Sequence, residues 1–323
     1  MTLSAGLLLS GSLAAAAELP PTPVVTNAQF EAWMTQISNW GRWGDKDELG
    51  TLNLITPKRR TAAARLVREG VTVSLALDLN KRRDDLNTNP FEHELEVGTF
   101  GGHEVAGDRY SVDYHGFAHS HIDGLSHFAH KGKMYNGVSV STLKTTGAEL
   151  LGVQNMHQGI FTRGVLIDMP WLKGVDYLEP GTAIMAEDLE AFEQKTGIKV
   201  RSGDVLLIRT GRWERLRQKG EWNFLDAAAG SHASVALWLK ARDVAVIGSD
   251  GVSDVMPSHV EGLVNPLHEL VLVGLGMPIL DNLDLDALAA AAQSRSRWTF
   301  LFVGAPLRVP GGTGSPLNPL AVF

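Results

Sequence analysis

Between Tyr114 and Gly137 the chain reads Tyr-His-Gly-Phe-Ala-His-Ser-His-Ile-Asp-Gly-Leu-Ser-His-Phe-Ala-His-Lys-Gly-Lys-Met-Tyr-Asn-Gly. Five of the eleven histidines in this 323-residue sequence fall here: His115, His119, His121, His127 and His130. One carboxylate, Asp123, stands among them. Imidazole nitrogen and carboxylate oxygen are ligands for zinc, manganese and iron. An extended segment alternates its side chains with a period of two, so His115, His119, His121 and Asp123 can share one face. Ala118, Ser120 and Gly124 leave room beside them, and His127 reaches the same pocket if the chain turns after Asp123. A lone histidine in an apolar run is usually packed and hydrogen-bonded. This density instead points to a metal site, with a proton relay or a solvated His-rich tract as the alternatives. His130 is the weakest member, because Lys131-Gly132-Lys133 reads as a solvated turn.

The totals narrow the chemistry. Cysteine is absent, which removes disulfides, thiolate ligands and a cysteine nucleophile. Any metal must therefore be held by His, Asp, Glu or carbonyl groups. A net charge of −7 and the lack of a Lys/Arg-rich stripe argue against a nucleic-acid partner. Hydrophobic residues at 44% and charged residues at 20% describe an ordinary globular chain. Leu7-Leu8-Leu9 and Leu13 to Ala17 form an apolar run too short to span a bilayer, and Ala15-Ala16-Ala17 fits a cleavage site. We therefore expect a signal peptide over 1–17, although no Lys or Arg precedes the run. The mature chain, 18–323, would then be periplasmic or secreted, without a membrane segment, and folded as a single domain.

Pattern along the chain predicts an α/β fold: a mixed sheet with partly parallel pairing and flanking helices. Helices are expected over Ala28–Ile37, Pro57–Gly70, Ala186–Lys195, Ser234–Ala241 and Pro266–Gly274. Strands are expected over Val71–Leu79, Val165–Met169, Asp204–Thr210, Val244–Gly248 and Gly276–Leu283. Asp108–Ser120 reads as extended backbone feeding the histidine stretch, and Lys81–Phe91 as a loop near the pocket mouth. Trp40 and Trp43 lie in a glycine-rich loop that presents aromatic surface or caps a core corner. His268 and Asp281 bracket the helix–strand unit that closes the second half.

These residues resemble the metal-dependent cyclase family, the group that includes bacterial kynurenine formamidase and isatin hydrolase. Its signature, His-x-Gly-Thr-His-x-Asp-x-x-x-His, is matched in its second half by His121-Ile122-Asp123-Gly124-Leu125-Ser126-His127. Trp43-Gly44-Asp45-Lys46-Asp47-Glu48-Leu49-Gly50-Thr51-Leu52-Asn53 resembles the family's N-terminal hallmark. Gly203 to Gly211 and Gly248-Ser249-Asp250 resemble its central strands. Two positions depart from the pattern. Phe117 stands where the first signature histidine belongs, with His119 and His115 as the substitutes, and Asp281 stands for a late glutamate.

The resemblance implies a cyclase-like sheet of the swivelling β/β/α type and a divalent cofactor, manganese or zinc. The implied ligands are His119, His121, Asp123, His268 and Asp281, with His127 as general acid/base. It also implies hydrolysis of an amide, lactam or ester bond in a small cyclic or aryl molecule, with Trp40, Trp43 and Phe117 as an apolar wall. A homodimer or homotetramer is the expected assembly. No Gly-x-Ser-x-Gly elbow competes with this reading. The alternatives are a lactonase or dehydratase of the same family, or a periplasmic protein that binds metal or a small molecule without turnover.

Overall fold

The computed structural model describes residues 22–323, so the expected signal peptide lies outside the described residues. Nine strands form one mixed sheet. In chain order they are β1 (Thr72–Ser74), β2 (His121–Asp123), β3 (Ile160–Asp168), β4 (Val205–Arg209), β5 (Val246–Ser249), β6 (Ile279–Asp281), β7 (Thr299–Gly304), β8 (Gly314–Pro316) and β9 (Leu320–Val322). Across the sheet they run β1-β9-β7-β3-β4-β5-β6-β2-β8.

The four central strands, β3 to β6, pair in parallel, and every other pairing is antiparallel. Val205-Leu206-Leu207-Ile208 shows why: a continuous apolar run suits a strand covered on both faces, and all four residues are buried. Helices Ala186–Thr196, Val235–Arg242 and Asp286–Arg295 flank the sheet. Leu189 and Phe192 bury the inner face of the first, as their helical spacing requires. The swap from parallel to antiparallel pairing at the β6–β2 edge is what builds the site. Asp281 lies directly opposite His121, and Gly314 of β8 lies opposite Asp123 on the other side. Ile122 and Leu280 point the other way, into the core.

Some expected elements are shorter than the sequence pattern. The Pro57 helix ends at Ala64 and the Val71 strand covers only Thr72–Ser74. The Pro266 helix begins as one α-turn, Pro266–His268, and continues as a π-helix over Glu269–Leu275 before Gly276 ends it. Such wide turns recur at functional sites. The backbone from 112 to 120 is irregular instead of an extended strand. Its carbonyls at Gly116 and Phe117 accept from Asn282 Nδ2 and Arg212 Nη2 and do not enter a ladder. The extended backbone expected from Asp108 is instead the end of a hairpin of Glu92–Phe100 and His103–Ser111, whose first strand the sequence pattern does not indicate. The hairpin turns on Gly101-Gly102, both with positive φ, and all of its strand residues are exposed.

The tryptophan loop docks by close backbone approach. Gly50 has φ of +55°, and a Cβ there would run into the Gly276 carbonyl, which already accepts from Thr51 N. Gly44 has φ of +99° with open space around it. Gly50→Ala should therefore cost about 2–4 kcal/mol, combining left-handed strain with a forced backbone shift. Gly44→Ala should lose only the strain. Urea denaturation midpoints of the two variants check this, and equal losses would show that the docking contact carries no energy.

Candidate metal centre

Strand alternation puts His121 and Asp123 on one face, and the register across β6 adds Asp281. The π-helical segment brings His268 over them. The turn after Asp123, with His127 N bonded to Gly124 O, brings back His127. The loop before β2 brings His115. Asp123 is buried, and four imidazoles converge on it. His115 Nδ1 lies 2.8 Å and His121 Nε2 3.4 Å from Oδ1; His268 Nε2 lies 3.6 Å and His127 Nε2 3.8 Å from Oδ2. Asp281 Oδ2 sits 3.2 Å from His268 Nε2. Two sets of ligand atoms each fall within 4.8 Å of one another: His115, Asp123 and His127, and His121, Asp123 and Asp281. Asp123 belongs to both.

Neighbouring groups fix which nitrogens face inward. His121 Nδ1–H donates to the His119 carbonyl at 2.8 Å, and a carbonyl can only accept, so Nε2 is the inward atom. His268 Nδ1–H donates to Asp254 Oδ2 at 2.5 Å, which aims its Nε2 at Asp281 and Asp123. Asp254 is itself held by Leu267 N. This carboxylate–imidazole pair is the outer support that metal-binding histidines use. Ser253 Oγ donates to the other oxygen of Asp281.

The charges follow from this crowding. Burial works to raise the Asp123 carboxyl, but the charge of His121 and contacts with His115 and His268 hold it well below the usual carboxylate range. Burial works to lower His268, and Asp281, Asp123 and Asp254 overrule it and hold it well above the usual histidine value. His121 is raised against its burial by Asp123. Burial pushes His127 down to about 4, and its side chain is 24% exposed.

The donor set fits a divalent ion. His115 Nδ1 and Asp123 Oδ1 are buried and 2.8 Å apart, yet neither is aligned for a hydrogen bond. A carboxylate oxygen without a donor in a dry site is costly unless a cation takes that place. Oxygen and imidazole ligands together suit manganese and zinc alike.

Of the expected site residues, His121, Asp123, His127, His268 and Asp281 come together. His119 does not join them. It is buried two residues before His121, its Nδ1 accepts from Asn80 N at 3.5 Å, and its Nε2 has no partner among the described residues. Trp40 is 42% exposed and donates from Nε1 to the Val273 carbonyl at 2.7 Å, while Arg42 stacks on Trp43. Neither borders the aromatic cavity beside Phe117. Phe117 does: it lines a space of about 530 Å³ with Leu86, Arg212, Trp213, Trp222 and Phe224. No member of the acid–histidine cluster lines that space, although Phe117 and Ala118, which do, lie in the loop that leads into His121 and Asp123. The Arg212 guanidinium is buried between Trp213 and Phe224, donates to Asn282 Oδ1 and Phe117 O, and is pushed by burial down to about 9. Arg212 and Asp254 went unread in the sequence, because nothing in their local spacing marks them.

Residues 64–254 match the Cyclase family, described as "Putative cyclase". A solved structure described as a novel cyclase is 30% identical, with a TM-score of 0.81, covering 90% of this chain and 99% of that one. Isatin hydrolase A from Ralstonia solanacearum is 22% identical, with a TM-score of 0.57, covering 83% of this chain and 98% of its own. An isatin hydrolase bound to the product analogue thioisatinate is 18% identical, with a TM-score of 0.55, covering 79% and 93%. No curated protein matches the chain.

Proposed function

The chain belongs to the Cyclase family, and from that premise we propose that it is a metal-dependent hydrolase of a small molecule, cleaving an amide, lactam or ester bond. The observation that carries the reading is Asp123: a buried carboxylate reached by four imidazoles, with one oxygen that no donor satisfies. His121, Asp123, His268 and Asp281 would hold a divalent ion, manganese or zinc. Such an ion supplies water activation at neutral pH and polarisation of a carbonyl. His127 lies at the partly exposed edge of the cluster, its Nε2 3.8 Å from Asp123 Oδ2, so it takes the proton from water and returns it to the leaving nitrogen or oxygen. Asp254 keeps His268 in the tautomer whose Nε2 faces inward. Phe117 and its aromatic neighbours offer an apolar wall for a ring. Isatin hydrolase, a structural relative, acts on a ring of this class by its name.

The same reading includes export to the periplasm or beyond and a homodimer or homotetramer. The fully exposed 92–111 hairpin supports the latter, because a lone two-stranded hairpin is marginal in water. A second reading, a metal or small-molecule binder without turnover, draws on Phe117 occupying the first signature position.

The deciding experiment strips the full chain with a chelator. Aryl formamides, isatin-like lactams and small lactones are then offered with and without Mn²⁺ or Zn²⁺. We expect hydrolysis of at least one class that appears only with metal. Bound metal without turnover of any class would leave the binder; no metal binding would remove both readings.

A further inference from the structure

We propose that His115, oriented by the C-terminal segment Gly311–Gly314, is a metal ligand of this centre and compensates for Phe117. This rests on the reading that the Asp123 cluster binds a divalent ion.

The Tyr114 hydroxyl donates its single hydrogen to the Gly314 carbonyl at 2.8 Å. Thr313 Oγ1 lies within hydrogen-bond distance of His115 Nε2, at 3.0 Å, which turns that nitrogen to the C-terminal segment and Nδ1 towards Asp123. His115 Nδ1 lies 2.8 Å from Asp123 Oδ1, yet the two are not aligned for a hydrogen bond. Two buried polar atoms this close without a shared hydrogen bond are placed to grip one cation together, and His127 brings a third ligand atom within 4.8 Å of both.

The backbone is shaped around this ring. Gly314 faces Asp123 across the ladder, and a Cβ there would meet His115 Cε1 at 2.8 Å. Gly124 N donates to Thr313 O at 2.7 Å, which pins the segment to the strand end that carries Asp123. His115 also stacks flat on His127, with centroids 3.7 Å apart and planes 4° from parallel. His119 has none of these supports and lies in neither set of convergent ligand atoms.

The test is calorimetric titration of chelator-treated full chain with Zn²⁺ and with Mn²⁺, paired with Co²⁺ absorption spectra. His115→Ala should weaken binding at least 100-fold and change the Co²⁺ d–d bands. His119→Ala should do neither. Thr313→Val should weaken binding about 10-fold, in the range typical for outer supports of a ligand, and Thr313→Ser should restore it. Thermal melting of each metal-free variant establishes that it is folded, and the Thr313 pair keeps the test open if His115→Ala is not. Wild-type affinity in His115→Ala, or a loss confined to His119→Ala, overturns the assignment of His115 while leaving the metal-dependent reading intact. Failure of the wild-type chain to bind either ion overturns that reading itself.

Discussion

Asp123→Asn should reduce Zn²⁺ or Mn²⁺ affinity by at least about 10³-fold and take metal-dependent hydrolysis to background. The carboxamide keeps the shape of the side chain but replaces one acceptor by a donor and removes the charge that both candidate ligand sets share. Losing an outer support costs 10–100-fold in metal affinity, and a shared first ligand must cost more. The metal-free variant should also be less stable near pH 6, by roughly 3–5 kcal/mol, because a buried partner of charged imidazoles is gone. The direction with pH is set by the two kinds of shift. The depressed Asp123 carboxyl contributes stability above its unfolded value, which is lost as pH falls through its lower folded value. The raised His268 and His121 contribute stability below their unfolded value, which is lost as pH rises through their folded values. Replacing Asp123 weakens both contributions, so the variant's stability should vary less with pH on both sides of neutrality. Chemical denaturation with chelator across pH 3–9 reads the stability, and calorimetry reads the affinity. Zn²⁺ bound as tightly by the variant as by the wild type would make the cluster a proton-sharing network and not a metal site.

How far the sequence reached is best seen at β2. His121 and Asp123 were legible because an alternation of two is a local property and three paired residues suffice to realise it. Extending the same alternation back to His119 and His115 misleads. Gly116 takes φ of +143°, Asn282 and Arg212 capture the carbonyls of Gly116 and Phe117, and the face is lost before Ser120. His115 then reaches Asp123 through space along a route that no spacing rule describes. Its orientation depends on Thr313 and Gly314, which sequence reading cannot bring beside Asp123, since only the strand order does so. The central parallel strands were legible for a different reason: burial on both faces writes an uninterrupted apolar run, as in Val205–Ile208. The 92–111 hairpin was missed although Gly101-Gly102 is a strong two-residue turn signal, because its flanks are too polar to suggest a strand. Asp254 is invisible for the reason most outer supports are. It acts on His268 from a loop, through a 2.5 Å contact that only the folded chain creates.

Replacing His127 by Ala should lower kcat by about 10²–10⁴-fold while leaving metal stoichiometry unchanged, the range expected when a positioned proton carrier is lost. Its ring stands at the open edge of the cluster, Nε2 3.8 Å from Asp123 Oδ2, so it meets solvent where His121 and His268 do not. Burial pushes His127 down to about 4, against about 6.5 for an unperturbed imidazole. The neutral, proton-accepting form therefore dominates across the working range, and the acid limb of the wild-type rate profile due to this group should fall near pH 4 and not near 6.5. Stability carries the same sign. The unfolded chain takes up this proton first, so His127 destabilises the metal-free fold progressively as pH falls from about 6.5 towards 4. Its alanine variant should be less acid-sensitive in that window. The readouts separate the roles: a rate loss with full metal content fixes His127 as the proton carrier. Loss of one equivalent of metal with the rate would make it a ligand beside His115 and Asp123, whose atoms it already meets within 4.8 Å.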